Sequence, residues 1–296
     1  MTPPRALRAF AAPRAELGEA PVWDAEGGGA LLSVDCVGRR MFRHDAAGAL
    51  TAEWALPKSP GSYALRRGGA GMLLAFRNGL ALADPAAGRF EEIPTGPAVD
   101  FARERFNDGR CDRLGRFWTG TMDRALRDPV GALVRIDTDL SVHRVLGGIT
   151  LSNGIAWSPD GRVMYHCDSG PAVVRAYDFD LAGGAVANPR VLARFGPGEG
   201  RPDGCAVDAE GFLWVAAVEA GMLLRLDPTG RRAREVRLPV SRPTSLAFGG
   251  EGLRTVFVTS MRHGMAAEEL AREPLAGAVL ALDPGVAGGA ETRFAG

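Results

Sequence analysis

The chain has 296 residues, equal numbers of basic and acidic side chains and a formal net charge of zero, with 46% hydrophobic residues. That length and apolar content suffice for a sizeable core, and the charge balance argues against nucleic acid, whose binders carry a basic footprint. No stretch approaches the roughly 20 apolar residues of a membrane span, and Met1 to Ala15 lacks the apolar run of a signal peptide.

Two interleaved series of turn signals run along the chain. In order they are Asp24-Ala25-Glu26-Gly27, His44-Asp45-Ala46-Ala47-Gly48, Arg67-Gly68-Gly69 and Asp84-Pro85-Ala86-Ala87-Gly88. Then come Asp112-Arg113-Leu114-Gly115, Asp137-Thr138-Asp139, Asp160-Gly161 and Asp178-Phe179-Asp180. The last four are Asp208-Ala209-Glu210-Gly211, Asp227-Pro228-Thr229-Gly230, Gly249-Gly250-Glu251-Gly252 and Asp283-Pro284-Gly285. Asp bonds to nearby backbone and Gly accepts positive φ, so both suit such turns. Apolar runs such as Ala30 to Val34 and Thr255 to Val258 lie between them and predict strands.

Asp112, Asp160 and Asp208 are each 48 residues apart. Two turns per unit separate about four strands, the pattern of a propeller blade. The spacing predicts a six-bladed, all-β propeller forming one domain over 1–296, with about 15 N-terminal residues and the C-terminal tail loosely attached. A sandwich or a pair of barrels would not need so long an internal period. A short helical turn is expected from Ala266 to Arg272.

Several chemistries are absent from the sequence. It has no GxSxG, HExxH, GxGxxG or P-loop motif. Lys58 is the only lysine and sits in a Pro-rich loop, so Schiff-base chemistry is set aside. Cys36, Cys111, Cys167 and Cys205 are scattered without a CxxC pair, which predicts reduced, buried thiols in a cytoplasmic protein. His44 and His143 fall near outer turns and are expected at the surface, and His166 in the core or a channel.

Glu19, Asn107, Asn153 and Asp203 remain. Each precedes a turn of the first series by five residues, or by seven for Asn153. Such residues often only cap turns, but capping does not require one register in every blade. Carboxylate and amide oxygens are hard ligands that suit Ca²⁺, Mg²⁺ or Mn²⁺. A cation with few protein ligands keeps positions open for water and for a substrate carbonyl, which it polarises.

These residues lie in longer motifs: Leu17-Gly18-Glu19-Ala20-Pro21-Val22-Trp23, Arg105-Phe106-Asn107-Asp108-Gly109, Gly120-Thr121-Met122, Ser152 to Asp160, Arg201-Pro202-Asp203-Gly204 and Thr259-Ser260-Met261-Arg262. Together they resemble the SMP-30/gluconolactonase/regucalcin-like family over nearly the whole chain. The resemblance implies a six-bladed propeller with one divalent metal held by Glu19, Asn153 and Asp203. It implies substrate contacts at Arg105 and Asn107, and Asp203 as general base. The metal is one of Ca²⁺, Zn²⁺, Mn²⁺, Mg²⁺ or Fe²⁺, and an attacking water activated without Asp203 fits the residues equally. Two positions depart from the family pattern: Ala125 stands where an acid is expected, and Val218-Glu219-Ala220 where Trp-Gly-Gly is common. Both touch the mouth of the site and suggest a less polar entrance, with Asp123 or Arg124 as substitutes for the missing acid.

The expected activity is metal-dependent hydrolysis of a sugar-derived lactone (glucono-, galactono-, xylono- or arabinonolactone) to the open aldonate, a carboxylic ester hydrolysis. The expected partner is the small lactone, with no nucleic acid, no membrane and the oligomeric state left open. The alternatives are a propeller phosphotriesterase and a non-catalytic calcium-binding regulator.

Overall fold

The computed structural model describes residues 5–12, 15–69 and 71–296. In chain order the strands are β1 (Arg5–Ala11), β2 (Gly18–Asp24), β3 (Ala30–Asp35), β4 (Arg40–His44), β5 (Leu50–Ala55), β6 (Pro60–Leu65), β7 (Met72–Phe76), β8 (Gly79–Asp84) and β9 (Arg89–Ile93). Next come β10 (Glu104–Cys111), β11 (Phe117–Asp123), β12 (Gly131–Ile136), β13 (Val142–Ile149), β14 (Ser152–Trp157), β15 (Val163–Asp168), β16 (Val173–Asp180) and β17 (Ala185–Arg194). The rest are β18 (Arg201–Val207), β19 (Leu213–Val218), β20 (Met222–Leu226), β21 (Arg232–Arg237), β22 (Pro243–Gly249), β23 (Thr255–Ser260) and β24 (Val279–Asp283), with a short helix, α1 (Ala267–Arg272), before β24. Among the described residues these strands form six four-stranded antiparallel sheets, the blades of a six-bladed β-propeller.

Each blade runs from a buried inner strand to an exposed outer one. The second strands β3, β7, β11 and β19 are buried at every residue, as expected of strands covered on both faces. The outer strands β5, β9, β17 and β21 are mostly exposed and carry the charged residues.

The chain divides into two compact units, each with three blades. The unit of Met1–Ala55 with Phe195–Glu291 packs Trp214, Leu246, Phe248 and Leu280 in one core, and Phe10, Trp23, Leu31 and Phe257 in another. Trp23 stacks on Phe257 with centroids 5.3 Å apart. The unit of Leu56–Arg194 with Thr292–Gly296 packs Phe106, Phe117, Val134 and Phe294 together, and Trp118, Ile155, Met164 and Phe179 together.

Four expectations change. Asp178-Phe179-Asp180 is not a turn: Phe179 is buried between two exposed aspartates, so period-2 alternation continues β16 to Asp180. The turn follows, with the Asp180 carboxylate accepting the N–H groups of Ala182 and Gly183. Asp283-Pro284-Gly285 does not lead to a fourth strand. That strand is β1, from the other end of the chain, with Arg8 opposite Ala281 and Ala9 opposite Leu280. Of the ends expected to be loose, residues 1–4 and 13–14 lie outside the described residues, whereas Phe294 of the tail is fully buried, its N–H donates to Leu65 O, and its carbonyl accepts from Arg67 N–H. His44 is not at the surface but fully buried, between the rings of Phe10 and Phe42, because the last residue of β4 faces inward. His143 is exposed as expected, α1 falls where the helical turn was predicted, and all four cysteines are buried and outside any disulfide.

The inner strands share one irregularity. In β2, β6, β10, β14, β18 and β22 the pairing register slips once, between Glu19 and Val22, Pro60 and Ser62, Phe106 and Gly109, Ser152 and Ile155, Pro202 and Cys205, and Pro243 and Leu246. A bulge of this kind frees residues from the ladder and re-aims their side chains.

Candidate active site

Every expected site residue except Arg105 sits in or beside such a bulge. Asn107, Asn153 and Asp203 are the first unpaired residues of β10, β14 and β18, and Glu19 is the last paired residue before the bulge of β2. Counted back from the last apolar residue of each strand (Trp23, Cys111, Trp157 and Val207), all four stand four residues earlier. The same count reaches Gly61 and Thr244, which were not singled out. Neither supplies a free oxygen. Gly61 has no side chain, and a Cβ there would meet Asn107 O at 2.7 Å. Thr244 Oγ1 donates to Gly18 O at 2.5 Å.

In the unit of residues 56–194 the structure brings Arg105, Asn107 and Asn153 together. Asn107 Nδ2 donates to the backbone carbonyl of Ser152 at 2.8 Å and to Asn153 Oδ1 at 2.6 Å. Asn153 Nδ2 donates to Ser169 Oγ at 2.7 Å. A backbone carbonyl can only accept, so it fixes which end of the Asn107 amide is nitrogen, and the chain of bonds then fixes the oxygen of Asn153. An Arg105 guanidinium N–H reaches Asn107 Oδ1 at 3.4 Å, so the two expected substrate contacts lie side by side on one face of β10. Asn153 is buried and its Oδ1 keeps lone-pair capacity beyond the Asn107 bond.

Below this network Ser152 Oγ and His166 Nε2 are 2.8 Å apart, both residues fully buried. Burial, with a smaller push from Arg175, holds the His166 pKa down to about 3, so its ring is neutral at physiological pH. Asp168 accepts the N–H groups of Leu151 and Gly170 at 3.0 and 3.3 Å, which ties the approach to β14 to the turn after β15.

In the unit of residues 1–55 and 195–291, Glu19 is half-buried and Asp203 is buried at 9% exposure. Glu19 Oε2 is 3.4 Å from the N–H of Ala20. Ala20 has a φ of 45°, a left-handed conformation that costs a non-glycine residue about 1 kcal/mol or more. Asp35 matches Asp168: it accepts N–H groups from Glu16, Leu17, Val37 and Gly38. Sequence reasoning missed this second repeat, although Asp35 follows Glu19 by 16 residues and Asp168 follows Asn153 by 15.

The two departures from the family pattern have defined roles here. Asp123, named above as a substitute for the missing acid, is engaged with its own loop. Its carboxylate accepts the N–H groups of Ala125, Arg127 and Asp128, and those bonds lower its pKa. Glu219 is ion-paired with Arg201 at 2.6 Å.

The expected ligands offer hard oxygens only: two carboxylates and an amide whose oxygen the hydrogen bonds identify. That donor chemistry fits a divalent cation. Among the described residues no group of three His, Cys, Asp or Glu side chains is placed to hold a metal, and the expected set contains only two of those types.

Residues 17–262 match the family described as the SMP-30/Gluconolactonase/LRE-like region. The chain is 39% identical over 284 residues to the 6-deoxy-6-sulfogluconolactonase of Pseudomonas putida, covering 95% of each protein. It is 38% identical over 293 residues to regucalcin of Gallus gallus, covering 96% of each. Among solved structures it resembles a calcium-binding protein, regucalcin, from Agrobacterium tumefaciens, with a TM-score of 0.90, 26% identity and coverage of 98% and 97%. A luciferin-regenerating enzyme superposes with a TM-score of 0.88, 27% identity and coverage of 98% and 99%. The motifs, the bulged inner strands and these matches agree over nearly the whole length, and the chain belongs to the SMP-30/gluconolactonase/LRE-like family.

Proposed function

We propose that the protein hydrolyses a sugar-derived lactone to the open aldonate with the help of one divalent cation held by Glu19, Asn153 and Asp203. The reading is supported by the family, by relatives that include a gluconolactonase-type enzyme, and by the oxygen-only donor set at matched register. The observation that carries it is the bond chain from Ser152 O through Asn107 to Asn153 and Ser169, which holds two amides in one orientation beside Arg105.

A bound cation supplies Lewis-acid polarisation of the lactone carbonyl. The chain's own residues do the rest. Arg105 and Asn107 bind ring hydroxyls and fix the lactone, which turns attack into an oriented, effectively unimolecular step. The Asp203 carboxylate takes the proton of the attacking water. The acyl carbon gains the water oxygen, its bond to the ring oxygen breaks, and that oxygen takes a proton from solvent water and leaves as a hydroxyl, while Asp203 returns its proton to solvent.

The test is a panel of five- and six-membered aldonolactones assayed with each of several added divalent metals, after subtraction of spontaneous hydrolysis. The account expects at least one aldonolactone to be turned over well above background. Background rates for every lactone at saturating metal would overturn it.

A further inference from the structure

The inner strand β18 repeats the register of β10. In β10, Arg105 and Phe106 pair with β11, Asn107 and Asp108 are unpaired in the bulge, and Gly109 pairs again. In β18, Arg201 and Pro202 pair with β19, Asp203 and Gly204 are unpaired, and Cys205 pairs again. Arg201 therefore stands to Asp203 as Arg105 stands to Asn107. Both pairs lie inside their strands at a spacing of two, which alternation sets on one face. The bulge does not undo this in β10, where the Arg105 guanidinium reaches Asn107 Oδ1 at 3.4 Å.

The two blades differ in the acid one step along the neighbouring strand. Arg105 lies opposite Met122 and Arg201 opposite Val218, and the next residues are Asp123 and Glu219. Asp123 is taken up by the N–H groups of its own loop. Glu219 Oε1 instead accepts from Arg201 Nη2 at 2.6 Å, with the glutamate side chain 51% and the arginine 41% exposed. An ion pair so exposed contributes little to stability. The Glu219 backbone is held at a φ of 73°, where glycine is at home and a glutamate is strained. Arg201 Nε is buried and has no hydrogen-bond partner among the described residues. Strain on one partner and an orphaned donor on the other thus accompany a pair that returns little stability, a combination found where a structure serves a ligand.

We propose that Arg201 and Glu219 bind two neighbouring hydroxyl groups of the substrate beside Asp203. The proposal rests on the lactonase reading above and deepens it: the pair selects lactones whose ring carries adjacent free hydroxyls. A guanidinium only donates and a carboxylate only accepts, whereas a hydroxyl does both. One hydroxyl accepts from Arg201, its neighbour donates to Glu219, and both bonds are charge-assisted. The bond between the two side chains uses one guanidinium nitrogen and one carboxylate oxygen, which leaves each with further capacity. The Val218-Glu219-Ala220 departure then makes the entrance more polar, not less polar as expected from the sequence.

The test is calorimetric binding of 1,5-anhydro-D-glucitol, a sugar ring with adjacent hydroxyls and no carbonyl to hydrolyse, together with kcat and KM for D-glucono-1,5-lactone. The variants are Arg201→Met, Arg201→Lys and Glu219→Gly, each with its thermal midpoint measured. Arg201→Met is expected to weaken polyol binding and raise KM, each by about tenfold, with a smaller change in kcat. Arg201→Lys keeps the charge without the planar fork and should retain part of the binding. Glu219→Gly relieves the left-handed strain, so it should bind the polyol more weakly while its midpoint holds or rises. A merely structural ion pair would instead give a lower midpoint with binding unchanged. Wild-type binding and KM in both Arg201→Met and Glu219→Gly overturn the proposal and leave the lactonase reading standing. Arg201-dependent polyol binding by a protein that hydrolyses no lactone supports the proposal and sinks only that reading. A wild type that neither binds the polyol nor hydrolyses the lactone overturns both.

Discussion

Asp203 has two proposed roles, and one substitution separates them. Asp203→Asn keeps an oxygen of similar size but removes the charge and the basic site. With metal held saturating, kcat is expected to fall roughly 10²-fold or more, the usual scale for a lost general base. Near wild-type kcat under those conditions would leave Asp203 as a ligand only. Arg105→Ala should raise KM more than it weakens metal affinity, because Arg105 is assigned to the substrate beside Asn107; metal titration of the variant checks this. At this scale the four polar residues at matched register were legible, because a side-chain type repeating at one offset is a sequence signal. Ser152, Ser169 and His166 were not. Ser152 acts through its backbone carbonyl, which any residue has, and the other two reach the site only through partners distant in sequence.

The turns that open the second strands differ in weight between blades. Asp208 accepts the N–H groups of Glu210 and Phe212 and binds Trp214 Nε1 and Arg225 Nε at 2.9 and 2.8 Å, all through a fully buried carboxylate. Asp112 repeats this with Leu114, Arg116 and Trp118. Asp160, at the same 48-residue spacing, accepts among the described residues from Ser158 Oγ and Arg162 N–H near the surface. Asp208→Ala strands a buried indole N–H and a largely buried guanidinium, so it should cost about 3–5 kcal/mol. Asp160→Ala should cost about 1 kcal/mol or less. Urea denaturation of the pair checks the ranking, and equal losses would contradict it. The 48-residue period was therefore legible while the different duties of its members were not, since those depend on which aromatic or arginine lies across the blade. The misplaced turn at Asp178 has a similar origin: two aspartates flanking a phenylalanine fit a turn by composition and a strand by alternation, and burial of Phe179 decides for the strand.

For the whole molecule, blade number and strand count were legible from turn spacing, but the pairing of β1 with β24 was not, because it joins segments about 270 residues apart. Neither compact unit is a continuous stretch of chain: one needs residues 1–55 and 195–291, the other takes Phe294 from the tail. Acid should weaken the fold. Folded His166 stays neutral down to about pH 3, whereas the unfolded ring takes a proton below its ordinary value of 6.5. Its contribution is complete above about pH 6.5 and is lost progressively as pH falls, by about 2 kcal/mol at pH 5. Burial lowers the His44 pKa too, so its contribution has the same sign. His44→Leu should reduce the loss of urea resistance between pH 7.5 and 5, and an unchanged loss would count against that role.

The central claim is that a divalent cation on Glu19, Asn153 and Asp203 serves hydrolysis of a lactone. The most direct measurement is aldonolactone hydrolysis by protein stripped with a chelator, verified metal-free, and then titrated with single divalent metals. The account predicts background rates in the stripped protein, recovery with at least one metal, and a right-shifted metal titration for Glu19→Gln with its fold intact by circular dichroism. Full activity in the verified metal-free protein would contradict it.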